Sequence, residues 1–186
     1  YMLTGIIIVI VIAVIIALFF VVSYNGFIKA KNNCEEAFST MDVYMKKRYD
    51  LIPNLVETVK GYAKHEQETL EKVIEARNFA RGATTMEDKI AGENALTGTL
   101  KSLFAISEAY PDLKANTNFM ELQGQLKSVE EDIANSRKYY NAVVKLFNNK
   151  CEMFPSNIIA GIFHFAVKPM FEVDSEEERK NVKVEF

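Results

Sequence analysis

The sequence predicts an all-α protein, with a single N-terminal transmembrane helix followed by an antiparallel bundle of long helices. Three observations point there. Residues 2–22, MLTGIIIVIVIAVIIALFFVV, carry no charge, and every side chain from Ile6 to Val22 is apolar. Beyond them Gly and Pro are sparse, so long stretches run without a breaker. Within those stretches apolar side chains recur at helical spacing. Three parts follow: an anchor over 1–26, a helical bundle over 27–157, and a short apolar helix with a charged tail over 158–186.

As a helix, residues 2–22 would reach roughly 31 Å, about the thickness of a hydrocarbon core. With no polar face the segment cannot lie on a surface as an amphipathic helix. Lipid leaves its backbone no other way to satisfy itself. Met2, Ile6, Ile10, Val14, Leu18 and Val22 are assigned to the spanning segment. A cleavable signal would offer small residues after its apolar core, where this chain has Phe19-Phe20-Val21-Val22. A pilin-like exported subunit would usually carry Glu at the fifth position, where this chain has Gly5. The first basic residues after the span are Lys29 and Lys31, and none precedes it. The positive-inside rule then puts the N-terminus outside and the body in the cytoplasm.

The remaining ~160 residues suit one domain. The whole chain has 22 basic and 25 acidic side chains, a net charge of -3, and no charge before residue 29. That balance argues against a nucleic-acid partner, which calls for a basic stripe. Tyr24 suits headgroup level. The first body helix is expected over 27–81, kinked or briefly broken near Asp50 to Pro53, because Pro53 removes an N–H and crowds the preceding turn. Gly61 weakens that helix and offers room for a neighbouring backbone, and Gly82 ends it.

A second helix is expected over 85–109. Thr84-Thr85-Met86-Glu87 reads as its capping box, and Met86, Ile90, Leu96, Leu100, Leu103 and Phe104 form its apolar side. Tyr110-Pro111 stops it. A third is expected over 117–153, capped by Asn116 or Asn118. Phe119, Leu122, Leu126, Val129, Ile133, Ser136, Tyr140, Val143 and Phe147 step by three and four along it, the spacing of knobs-into-holes packing. Phe154-Pro155 ends that helix, and Ser156-Asn157 can open a short one, IIAGIFHFAV, too short to span. It either packs under the bundle or lies at the membrane surface. The tail closes on alternating Val182, Val184 and Phe186, which suits an edge strand or an extended docking segment.

Several long segments resemble the LemA family of bacterial membrane proteins. They are RYDLIPNLV from Arg48, VKGYAKHE from Val59, EAYPDLKAN from Glu108, Tyr140-Asn141, and FPSN from Phe154. The chain departs from the resemblance at Phe38, where the family often has Trp, and it contains no Trp anywhere. The resemblance implies one N-terminal anchor in the bacterial cytoplasmic membrane and a helical bundle, and it implies no activity. Relatives linked to membrane shaping and magnetosome organisation give a hint of function.

His65-Glu66 lacks the second His of a zinc-protease helix, since that position holds Thr69, and His164 stands in another element. Cys34 and Cys151 lack a CxxC spacing. Cys151 reads as a buried thiol, while Cys34, near the membrane, is expected to be open to thiol reagents. No catalytic, cofactor-binding or metal-ligating residues are assigned, and no cofactor is expected.

The densest polar cluster contains Lys46, Lys47, Arg48, Lys60, Lys64 and His65. Together with Lys29 and Lys31 these are candidate contacts for lipid headgroups or a membrane-protein partner. Their plain reading is a solvated face with helical charge pairs. Arg48 and Asp50 have a second reading as buried pairing groups. Tyr139-Tyr140-Asn141 and Asn148-Asn149 read as hydrogen-bonding groups between helices. Ile158, Ile159, Ile162, Phe163, Phe165 and Phe186 are candidate self-assembly contacts. The expected function is a non-enzymatic, homo-oligomeric scaffold that organises or bends the bilayer. The rivals are an adaptor for a membrane protease or signalling protein, and an exported pilin-like subunit.

Overall fold

The computed structural model describes residues 2–172, and the protein is all-helical over them. The helices are α1 (Met2–Tyr62), α2 (Gln67–Gly82), α3 (Met86–Ser107), α4 (Pro111–Lys114), α5 (Thr117–Glu152) and α6 (Ser156–Phe163). Among the described residues α1 is the one helix long and apolar enough to cross a membrane, and its apolar window is wholly exposed. The charged tail, with Val182, Val184 and Phe186, lies outside the described residues.

The chain forms two compact units. The first takes the chain up to Thr40 together with Ser136–Met170; the second takes Met41–Asn135 with Phe171 and Glu172. α1 and α5 each contribute to both units.

α1 runs unbroken through Pro53, against the expected interruption. Pro53 cannot donate to the carbonyl of Tyr49, four residues back, and an orphaned carbonyl would ordinarily weaken the helix there. Here the Nε–H of Arg77 on α2 donates to that carbonyl at 3.1 Å. The real break comes later, at residues 63–66. Gly61, costly in any helix, precedes it by half a turn. Tyr110 Oη then donates to Glu66 Oε1 at 3.3 Å, and Asn116 Nδ2 donates to Tyr62 Oη at 2.9 Å, tying the turn to later elements.

Gly61 meets no neighbour that a Cβ would touch, so the close backbone approach expected there is elsewhere. It lies at Gly92, where a Cβ would come within 2.7 Å of Ala80 Cα and so pins α3 against α2. Thr85 caps α3 by accepting from the Asp88 N–H at 3.1 Å, which places the cap one residue later than the sequence suggested. The segment after Tyr110 is itself a short helix, α4, with Pro111 in its first turn, where a missing N–H costs nothing. Asn116 caps α5, its Oδ1 accepting from the Phe119 N–H at 3.0 Å.

The second unit is built on Met41, Met45, Ile52, Leu55 and Val59 of α1, all fully buried. Leu70 and Val73 of α2, Leu96, Leu100 and Leu103 of α3, Leu113 of α4 and Phe119 of α5 close around them. The α5 row behaves as its spacing implied: seven of its nine side chains are buried, and Leu122 and Val129 are half-buried.

Candidate functional site

Two sites stand out, one in each unit. In the first, α1 passes from its apolar stretch into packed protein with no linker. Tyr24 lies two residues beyond Val22, and its ring is 4.7 Å from that of Phe163 and 6.0 Å from that of Phe165. Phe27, fully buried, stacks flat on Phe165 at 4.7 Å and meets Phe147 edge-on at 6.1 Å. The chain reaches this position because His164 takes the left-handed conformation, φ 57, at the end of α6 and turns the backbone away. Asn148 then holds the extended segment: its Nδ2 donates to the Lys168 carbonyl at 2.9 Å, and its Oδ1 accepts from the Lys168 N–H at 2.8 Å. Tyr140 Oη adds a hydrogen bond to the Pro169 carbonyl at 3.3 Å. These amide and phenol groups were expected to link helices; Tyr140 and Asn148 instead clamp a non-helical strap.

Beside this cluster lies an open cavity of about 570 Å³ lined by Gly26, Lys29, Asn149 and Lys150 on its polar side and Leu146, Met153 and Phe154 on its apolar side. Lys150 Nζ sits close over α1, 2.9 Å from where a Cβ on Gly26 would stand. Cys34 is buried in the same unit, against the expectation of an open thiol, whereas Cys151 is only half-buried. Burial pushes the Cys34 thiol above its ordinary range, with Lys168 partly opposing. Burial also raises Cys151, reinforced by Glu152. Phe38 meets Tyr140 edge-on at 5.8 Å.

The second site is a buried charge cluster. Arg48, 3% exposed, occupies the α1 row that otherwise reads Met41, Met45, Ile52, Leu55 and Val59. Its Nη2 pairs with Glu93 Oε2, and Tyr49 Oη donates to Glu93 Oε1; both are very short contacts. Arg48 Nη1 reaches Thr97 Oγ1 at 3.3 Å and Glu130 Oε1 at 3.5 Å, while its Nε has no hydrogen-bond partner. Burial, then the Glu93 carboxylate, pushes the Tyr49 phenol far above its ordinary value, so it remains a donor. Both Glu93 oxygens are engaged and both charges are covered, which makes the cluster a lock between α1 and α3.

Arg48 therefore leaves the group of candidate surface contacts, because burial denies it to lipid or partner, and Asp50 is exposed and outside the lock. Lys29, Lys31, Lys46, Lys47, Lys60, Lys64 and His65 are exposed. Lys31 pairs with Glu35 at 3.9 Å, Lys46 with Asp42 at 2.8 Å, and Lys47 lies over the Tyr44 ring at 5.2 Å. Lys60 and Lys64 line a groove of about 360 Å³ with Glu57 and Glu71. Of the assembly candidates, Ile159 is fully buried, and Phe165 is half-buried and stacked on Phe27. Ile158, Ile162 and Phe163 stay exposed at 48%, 51% and 45%. Sequence reasoning missed Glu93. Its signal was a gap in the α3 apolar row between Ile90 and Leu96, filled by an acid. Among the described residues no three His, Cys, Asp or Glu side chains gather where they could hold a metal ion.

An all-helical protein whose N-terminal helix is long and apolar enough to cross a bilayer is the class these features define. Residues 37–186 match the LemA family, and the chain belongs to that family. Protein LemA of Metamycoplasma hominis is 26% identical over 162 residues, covering 85% of this chain and 72% of that protein. The magnetosome proteins MamQ 1 and MamQ 2 of Paramagnetospirillum magneticum are each 25% identical over 175 residues. The match covers 80% of this chain and 64% of theirs, so the chain spans less than two thirds of the length of these magnetosome proteins.

Proposed function

We propose that the protein is a non-enzymatic, membrane-anchored scaffold that self-assembles through its helical body and organises or bends the bilayer around it. The observation that carries this reading is the passage of the uncharged 2–22 stretch into a packed aromatic unit without any linker. Such a join fixes that unit at the membrane surface. In this reading the span is a single pass, with its N-terminus outside and its body in the cytoplasm. Relatives named as magnetosome proteins support a role at membranes. A span without a polar residue offers neither a substrate path nor interhelical hydrogen bonds, and Gly5, Ala13 and Ala17 form no GxxxG pair. Association then falls to the body, with its helices arranged antiparallel. Head-to-tail repetition of a tethered body closes into rings or shells, which impose curvature on the lipid inside.

The rival is an adaptor for a membrane-protein partner, using the exposed lysines of α1. Crosslinking in native membranes separates the two. The scaffold yields ladders of self-crosslinked chains, and a stoichiometric heterologous product in place of them contradicts it.

A further inference from the structure

The exposed face of α6 lies beside the end of the apolar span. Phe163, the last residue of α6, touches Tyr24, which follows Val22 by two residues, or roughly 3 Å of helix rise. At the other end of α6, Ser156 Oγ donates to the Lys150 carbonyl at 2.8 Å, and Lys150 Nζ stands beside Gly26. Both ends of the helix are therefore tied to α1 around residues 24–26, within about 6 Å of the span's edge. A helix with both ends at one height along a spanning segment lies across it, in the plane of the bilayer.

One side of that helix is committed to protein, through the buried Ile159 and Ala160. The other carries Ile158 and Ile162, one turn apart, with Phe163 beside them and Met153 and Phe154, 61% and 79% exposed, just before. At this depth the neighbouring medium is the boundary between headgroups and acyl chains, where apolar side chains and aromatic rings settle favourably. Lys29 and Lys150 flank the same place and suit lipid phosphates.

We infer that α6 and the preceding Met153-Phe154 form a second, in-plane membrane contact, inserting Ile158, Ile162 and Phe163 into the leaflet beside the span while Lys29 and Lys150 hold phospholipid headgroups. The inference rests on the reading of residues 2–22 as a membrane span. It assigns the exposed α6 residues to lipid, in place of the second copy of the chain that the sequence suggested. An in-plane wedge on one leaflet is also a direct way for a single chain to bias curvature.

The absence of Trp from the chain makes the test direct. Full-length Phe163→Trp and Ile162→Trp variants, each carrying one Trp, are reconstituted in phosphatidylcholine liposomes brominated either high on the acyl chain or near its methyl end. An Ile12→Trp variant reports on the span. The expected result is strong quenching of both α6 variants by the shallow bromines and weaker quenching by the deep ones, with the order reversed for Ile12→Trp. Quenching of Ile12→Trp alone, with the α6 variants responding to aqueous iodide, overturns the inference and leaves the span intact. α6 variants shielded from both bromine and iodide would mean that protein covers the face, and that also overturns it. Failure of bromine to quench Ile12→Trp at either depth removes the span and the inference together.

Discussion

Arg48 carries a guanidinium into the middle of an apolar row, and its worth to the fold depends on Glu93. Removing one member of a covered ion pair leaves a buried charge, which typically costs about 3–5 kcal/mol, whereas replacing both by apolar side chains is far milder. Glu93→Ala is accordingly expected to lower the unfolding free energy by about that amount, and Arg48→Met with Glu93→Leu by much less. Denaturant unfolding of the three proteins checks this; equal losses in the single and double variants would show that the pair is not a lock. Pro53 makes a second residue-scale case. Arg77→Ala should cost about 1–2 kcal/mol, because it orphans the Tyr49 carbonyl. In a Pro53→Ala background, where the helix supplies its own donor, the loss should shrink, and additive losses in that cycle would refute the capping role. The buried Arg was half legible: its place in the α1 row was visible, but charge drew attention to the surface. The rescue of Pro53 was not legible, since nothing local tells that a side chain 24 residues onward will supply the missing donor.

At the scale of elements, helical period and breakers located most of the chain. The α5 row steps by three and four because one face is buried along its length, so spacing alone identified the core side. Boundaries were harder wherever a tertiary contact outweighed local propensity. The helix continued past Pro53 because α2 repaired it, and it stopped at 63–66, where no proline stands. Gly61 and Gly92 look alike in the sequence, and only packing distinguishes them. A Cβ at Gly92 would press on Ala80 backbone at 2.7 Å, so α2 and α3 must move apart to admit it. Gly92→Ala is expected to destabilise by about 1–3 kcal/mol. Gly124→Ala, in a helix with open space around it, should be neutral or stabilising by up to about 1 kcal/mol. Thermal unfolding of the two variants checks the contrast, and a neutral Gly92→Ala would contradict the close packing. Likewise α6 could be recognised as short and apolar, but not which of its faces was spent. Phe165 packs where α1 and α5 present Phe27 and Phe147 to it.

For the whole molecule, the two thiols illustrate how burial alters what an accessibility experiment can say. Cys34 is buried and its thiol is raised by that burial, so its silence toward a membrane-impermeant reagent reports packing, and Cys151 is the better probe of sidedness. The same physics bears on function. In the proposed account, the apolar stretch of α1, joined without a linker to an aromatic unit, seats the protein on a membrane, and its helical body meets copies of itself. The central claim is self-assembly, and the most direct measurement is the mass of the full-length protein extracted in native lipid, followed across a range of concentrations. The account predicts particles at multiples of the chain mass that persist on dilution, with closed rings or shells visible on imaging. A single chain per particle at every concentration would contradict it.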